Sequence, residues 1–173
     1  MDRTSPEPRY RIEPLNSNHE RAGFSCGVPE LDNYIRHQAG LDLKRKLAAV
    51  FVLTADNQEI AGFFALSARS ILASELPPDI AKKLPRYPLP STLLGRMAVA
   101  RSLQGKGLGE LLLFDAFDRA LRGSRHVASW AVVVDTEAGA RDFYLNHNFL
   151  PLPNQPDRLF LPMKAIERMF EPF

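Results

Sequence analysis

Cysteine is nearly absent from this chain of 173 residues, where Cys26 is the only one. That excludes an intrachain disulfide and any zinc site assembled from several thiolates. Long apolar runs are missing as well: no stretch approaches the roughly 18–20 residues that a membrane helix needs. The opening residues 1–8, MDRTSPEP, contain no apolar segment, so export is not expected and a cytoplasmic protein is. Charge of one sign is also lacking. Lysine and arginine number 22 against 20 acidic residues, a net charge of +2. So small an excess does not mark a nucleic-acid partner unless the charges cluster. His19, His37, His126 and His147 show neither an HExxH pattern nor any other ligand spacing, and no metal is expected.

What the chain does have is the composition of a folded protein, 45% hydrophobic and 24% charged. The length suits one domain. Residues 1–8, polar with two prolines, read as a loose tail, and residues 9–173 as a single domain. Residues 10–15 suit a first strand, and residues 28–46 form a polar, helix-capable stretch. Two β-rich runs at 48–54 and 60–68 flank a turn of Asp56, Asn57, Gln58 and Glu59, the pattern of a hairpin. Five prolines between Pro77 and Pro90 predict a loop with one helical turn at 79–84. A strand is expected over 92–100. From Gly107 the apolar period becomes helical: Asp115, Asp118, Arg119 and Arg122 form a stripe, with Leu112, Leu113, Phe117, Ala120 and Leu121 largely opposite. An apolar strand at 128–134 follows, then a short helix at 137–146. Two closing β segments at 148–152 and 158–163 come next, and a last helical turn at 165–170. The βαβ unit over 92–134 requires a parallel pair and a right-handed crossover, whereas the hairpin requires antiparallel neighbours. The expected fold is α/β with a mixed sheet and helices on its faces.

One segment carries chemistry. Gln104, Gly105, Lys106, Gly107, Leu108 and Gly109 lie where a strand ends and a helix begins. Glycines there let the backbone turn tightly with several N–H groups pointing one way. The helix start adds partial positive charge, so a phosphate is the expected guest. A Walker loop would place Ser or Thr after Gly-Lys, and a dinucleotide fingerprint reads GxGxxG; this run matches neither.

The pattern Gln/Arg-x-x-Gly-x-Gly/Ala, met here by Gln104, Gly107 and Gly109, together with the order of elements, resembles the GCN5-related N-acetyltransferases (GNAT). The resemblance covers nearly the whole chain. It implies a mostly antiparallel sheet of six to seven strands, with a central parallel pair splayed around acetyl-CoA. Gln104 to Gly109 would take the pyrophosphate, and backbone of Met97, Ala98 and Val99 would pair with the pantetheine arm, a form of strand augmentation. Arg141 to Phe149 resembles the family's FYxxxGF segment. By that likeness Phe143 lies against the cofactor and Tyr144 is the general acid toward the departing thiolate. A phenol near 10 beside a thiol near 8.5 makes that proton transfer reasonable. Asn148 stands where the family has glycine, the next best residue for a left-handed position. Asp135 stands where many relatives carry Asn; it is read as a cap for the following helix, with orientation of the acceptor amine as the other role.

No carboxylate presents itself as a general base. At pH 7 an α-amine with pKa near 8 is roughly a tenth neutral, while a lysine is below about a thousandth. The acceptor is therefore expected to be an α-amine. The segments Phe24-Ser25-Cys26-Gly27, Leu31-Asp32, Tyr34-Ile35 and Gly95-Arg96-Met97-Ala98-Val99 resemble the acetyltransferase toxins of toxin–antitoxin pairs (TacT-like). That likeness implies an aminoacyl-tRNA acceptor, a ribbon-helix-helix antitoxin partner and a homodimer. Arg36, Lys44, Arg45, Lys46, Arg86 and Arg96 are candidate tRNA contacts, with His37, Lys82 and Lys83 in the same clusters. An acceptor that is a small amine or a protein N-terminus, and a non-catalytic acetyl-CoA-binding module, are the other readings. Cys26 is read as a small buried residue rather than a nucleophile.

Overall fold

Strand β1 (Arg11–Pro14) pairs antiparallel with β2 (Ala49–Thr54), Arg11 opposite Thr54. In this computed structural model, residues 8–55, 57–136 and 140–172 are described. Between the two strands run α1 (Pro29–Asn33), a π-helical turn at Tyr34–Gln38, and α2 (Ala39–Lys44). Pro29 opens α1 at the position where a missing N–H costs nothing. Next come β3 (Ile60–Ile71), α3 (Pro78–Ala81), β4 (Leu89–Val99) and α4 (Leu108–Gly123). The chain closes with β5 (Ala131–Asp135), α5 (Arg141–Leu145), β6 (Leu150–Leu152), β7 (Gln155–Pro162) and α6 (Met163–Met169).

The strands join in one sheet of order β1-β2-β3-β4-β5-β7-β6. β4 and β5 are the parallel pair, with register running from Ser91↔Ala131 to Leu94↔Val134, and β5–β7 and β6–β7 are antiparallel. The expected mixed sheet with a parallel pair on either side of the strongest helix is what forms. Both borders are short: β1 has four residues ending on Pro14, and β6 has three with Pro151 in the middle.

The chain divides into two compact units, residues 1–65 with 96–113, and residues 66–95 with 114–173. The core of the first holds Phe24, Tyr34, Ile35, Val50, Val52 and Phe63. That of the second holds Ile71, Leu76, Leu89, Val133, Leu152 and Phe160, with Trp130 stacked on Phe160 at 5.9 Å. Along α4 the two stripes fall as expected: Leu112, Leu113, Phe117, Ala120 and Leu121 are buried. On the other side Arg119 pairs with Asp115, and Arg122 with Asp118, each at 2.7 Å.

Several boundaries differ from the expected ones. β4 begins at Leu89 and runs through Pro90, inside the segment read as loop. Proline removes a donor but keeps its acceptor, and the Pro90 carbonyl takes the Trp130 N–H at 2.7 Å. β5 begins at Ala131 rather than 128, and β3 extends to Ile71. The helical turn near Pro78 starts one residue before the expected site, with proline at its first turn. Of the proposed tail, residues 1–7 lie outside the described residues, as do Asp56 of the hairpin turn and residues 137–139 of the expected short helix.

Gly62 shows how closely α4 lies on the first unit's strands. A Cβ there would sit 2.8 Å from Leu112 Cδ1 and 2.9 Å from the Ala98 carbonyl oxygen. The carbonyl belongs to β4 backbone and does not yield. Gly62→Ala is expected to destabilise the fold by about 1–3 kcal/mol, the usual cost of overpacking, read as a lowered melting temperature.

Candidate active site

In the first unit, β4 ends at Val99 and α4 begins at Leu108. Gly105 and Gly107 between them have φ of +80° and +82°. A Cβ at either would meet nothing within 4 Å, so the left-handed backbone, not crowding, requires glycine there. The turn faces open space at both glycines and leads into the amino end of a 16-residue helix. That arrangement fits a phosphate group bound by backbone amides. Gln104, Gly105, Lys106 and Gly107 are exposed, Leu108 and Ala98 buried, Met97 and Val99 half-buried.

The Gln104 side chain does something the motif did not announce. Its Nε2 donates to the Cys26 carbonyl at 2.9 Å and to the Val99 carbonyl at 3.0 Å. The Arg101 N–H donates to the Ser25 carbonyl at 2.8 Å. The Phe24–Gly27 segment is thereby tied to the glycine turn, and Asp32 Oδ1 accepts the Cys26 N–H at 2.8 Å. Gln104 is a brace for the turn. Cys26 itself is buried, and burial together with Asp32 pushes its thiol up to about 11. It is a packing residue and a poor nucleophile.

In the second unit, α5 positions Tyr144, and Asn148 closes the segment with φ of +71°, the left-handed position expected for it. The Tyr144 ring packs edge-on against Phe143 and Phe149, each at 5.3 Å, and the residue is 6% exposed. Its hydroxyl makes no hydrogen bond among the described residues. Burial pushes the phenol well above its ordinary value, so it keeps its proton and is available as a donor. The His147 ring lies tilted against Phe143 at 4.6 Å, its Nδ1 2.7 Å from the Phe143 carbonyl.

The basic candidates separate into different kinds. Lys44, Arg45 and Lys46 are exposed together at the end of α2 in the first unit, and Arg86 is exposed in the second. Arg36 is half-buried: its Nη2 donates to the Phe24 carbonyl, and its Nε is buried without a partner among the described residues. Arg96 lies over the ring of buried Tyr34 at 3.9 Å, a cation–π contact, and the Tyr34 hydroxyl donates to Asp42 at 3.0 Å. Burial and Asp42 push that phenol up to about 12.

Asp135 is not a helix cap. Ala140 precedes α5, and the Asp135 carboxylate is held by Arg69 Nη1 at 3.0 Å and Arg158 Nε at 2.8 Å. Sequence reasoning missed both arginines. They stand 89 positions apart on β3 and β7, so no local pattern joins them. Among the described residues no group of His, Cys, Asp or Glu is arranged to hold a metal, and no helix is long and apolar enough to cross a membrane.

A glycine turn between a parallel strand and its helix, with a buried tyrosine after the next strand, is the arrangement of an acetyltransferase. Residues 46–151 match the acetyltransferase (GNAT) domain, and the chain belongs to that family. Its relatives narrow the class. The tRNA-acetylating toxin of Mycobacterium tuberculosis is 35% identical over 142 residues, 82% of this chain and 84% of that one. The probable toxin TacT of Sinorhizobium fredii is 31% identical over 170 residues, 91% and 93% of the two chains. Among solved structures, AtaT complexed with acetyl-methionyl-tRNAfMet has a TM-score of 0.87 at 27% identity, over 94% of this chain and 100% of that one. AtaTR bound with acetyl-CoA has a TM-score of 0.83 at 28% identity, over 94% and 98%.

Proposed function

We propose that this chain is an acetyl-CoA-dependent N-acetyltransferase toxin. It acetylates the α-amino group of aminoacyl-tRNA, blocks translation in the cytoplasm, and is neutralised by a cognate antitoxin of the ribbon-helix-helix class. Residues 9–173 act as one acetyltransferase domain, working as a homodimer. The observation that carries this reading is the likeness to tRNA-acetylating toxins over most of the chain, with the glycine turn and the buried tyrosine both intact.

Acetyl-CoA supplies a thioester whose acetyl carbon accepts the amine. Amides of residues 104–109 hold its pyrophosphate, and the β4 backbone at residues 97–99 lies along the pantetheine, with Phe143 against the cofactor. The Val99 carbonyl of that stretch accepts from Gln104. The neutral α-amine attacks the carbonyl, the C–S bond breaks, and Tyr144 gives its hydroxyl proton to the sulfur as thiolate leaves. The amine sheds its extra proton to water, since an α-amine is already partly neutral near pH 7 and needs no dedicated base. Exposed Lys44, Arg45, Lys46, Arg86 and Arg96 attract the nucleic acid's phosphates, while Arg36 supports the Phe24 segment.

Incubating the protein with acetyl-CoA and a pool of charged tRNAs tests this reading. The expected product is acetylated aminoacyl groups on tRNA, and induction in bacteria is expected to arrest growth. Acetylation of small amines or protein N-termini with none on tRNA would move the acceptor to that class. Failure to take up acetyl-CoA would remove the activity altogether.

A further inference from the structure

Asp135 ends β5 one residue beyond the last paired position of the parallel pair, Leu94↔Val134. Open α/β sheets bind ligands at the carboxyl ends of parallel strands. Here that end carries two guanidiniums and one carboxylate to hold them. Arg69 reaches Asp135 Oδ2 through Nη1, and Arg158 reaches Oδ1 through Nε. One carboxylate neutralises one of the two cations, so the group retains an excess positive charge. Each guanidinium uses one nitrogen on Asp135 and makes no other hydrogen bond among the described residues, leaving two nitrogens apiece. Both side chains are 25% exposed, enough to be reached and too little to swing freely.

A cavity of about 340 Å³ opens beside this group, lined by Asp135, Thr136, Gln155, Pro156, Asp157 and Arg158. Its rear wall is fixed: Thr136 donates through N and Oγ1 to the Asp157 carbonyl at 2.6 and 2.9 Å. Asp157, exposed, is among the lining residues. It is an anion on the same lining, so a guest must engage the arginines directly rather than sense a diffuse positive field. Arginine forks do this well with phosphate, because the planar group offers paired donors at fixed angles. A lysine-rich face gives affinity without position; a pair of arginines locked by a carboxylate gives position.

We propose that Arg69 and Arg158, held by Asp135, form a binding site for a backbone phosphate of the nucleic-acid acceptor. The site rests on the function proposed above. It adds to the exposed lysines and arginines a fixed point that sets the register of the acceptor's end at the parallel pair. Asp135 is a positioning residue, and the arginines touch the phosphate.

The test uses the full chain and measures binding to charged tRNA across a salt gradient, with acetyl-CoA affinity measured alongside. Wild type is measured first; if it shows no salt-dependent binding, the tRNA reading fails, independently of this site. Given wild-type binding, R69Q and R158Q are each expected to weaken it several-fold. Each is expected to flatten the slope of log affinity against log salt by roughly 0.7–0.9, the change expected when one phosphate is no longer neutralised. Acetyl-CoA affinity stays unchanged. R158K keeps the charge and removes the fork, so its salt slope is largely retained while kcat/KM for charged tRNA falls. It also serves where a neutral variant fails to fold. Unchanged slope and affinity in folded variants would overturn the site. So would a loss of acetyl-CoA affinity in their place, which would assign the phosphate to the coenzyme.

Discussion

Replacing Tyr144 with phenylalanine is expected to slow acetyl transfer by about 10²–10⁴-fold, the usual contribution of a positioned general acid, while acetyl-CoA still binds. The substitution removes one oxygen and leaves the ring packing with Phe143 and Phe149 in place. The hydroxyl has no hydrogen bond among the described residues, so its loss strands no partner and stability is little changed. That separation makes the variant a clean reading of chemistry: calorimetry with acetyl-CoA reports binding, and single-turnover acetylation reports the step. Turnover equal to wild type would retire Tyr144 as the acid. Burial raises the Tyr144 pKa, so the acid stays protonated across the assay range, and the rate is expected to climb toward pH 8 as the α-amine loses its proton. It does not fall on the alkaline side until above about 10, where an ordinary phenol would already be ionised. The same shift acts on stability: its contribution is complete below the unfolded value near 10 and declines as pH rises above that value toward the folded one.

The second large effect is expected at Gly107. Its φ of +82° is open to glycine and costs a side-chain-bearing residue about 1–2 kcal/mol, more when the side chain is β-branched. Because a Cβ there meets nothing within 4 Å, the penalty comes from the backbone alone. Gly107→Val is therefore expected to turn the amides out of line and lower acetyl-CoA affinity by at least about tenfold, with helix content unchanged by circular dichroism. Gly107→Asn, which tolerates the left-handed region, is expected to lose far less. Equal losses from Val and Asn would mean that side-chain bulk, not backbone geometry, governs the turn.

The parts of this fold that could be read in advance are those set by local pattern. The two stripes of α4 were legible because a 3.6-residue period writes its buried face directly into the sequence. Asn148 was legible as a left-handed residue because few side chains tolerate that region. The glycine turn was legible for the same reason. What escaped depends on distant partners. Pro90 looks like loop until the Trp130 N–H is seen to use its carbonyl. The π-helical turn at Tyr34–Gln38 leaves no mark in residue type, since it changes which carbonyl each amide meets and not which faces are apolar. Gln104 was visible as part of a motif, but its tie to Cys26 requires a segment 78 positions away. Asp135 reads locally as a strand end next to a helix, but its partners Arg69 and Arg158 reach it across 66 and 23 positions and leave no local mark.

The sheet's two borders have a consequence for assembly. At one margin an incoming strand finds four residues closed off by Pro14, and at the other three residues interrupted by Pro151. Neither offers the long row of free amides on which strands from other molecules polymerise. Strand addition at those margins is disfavoured, and crowded nascent copies have little backbone with which to stick to one another.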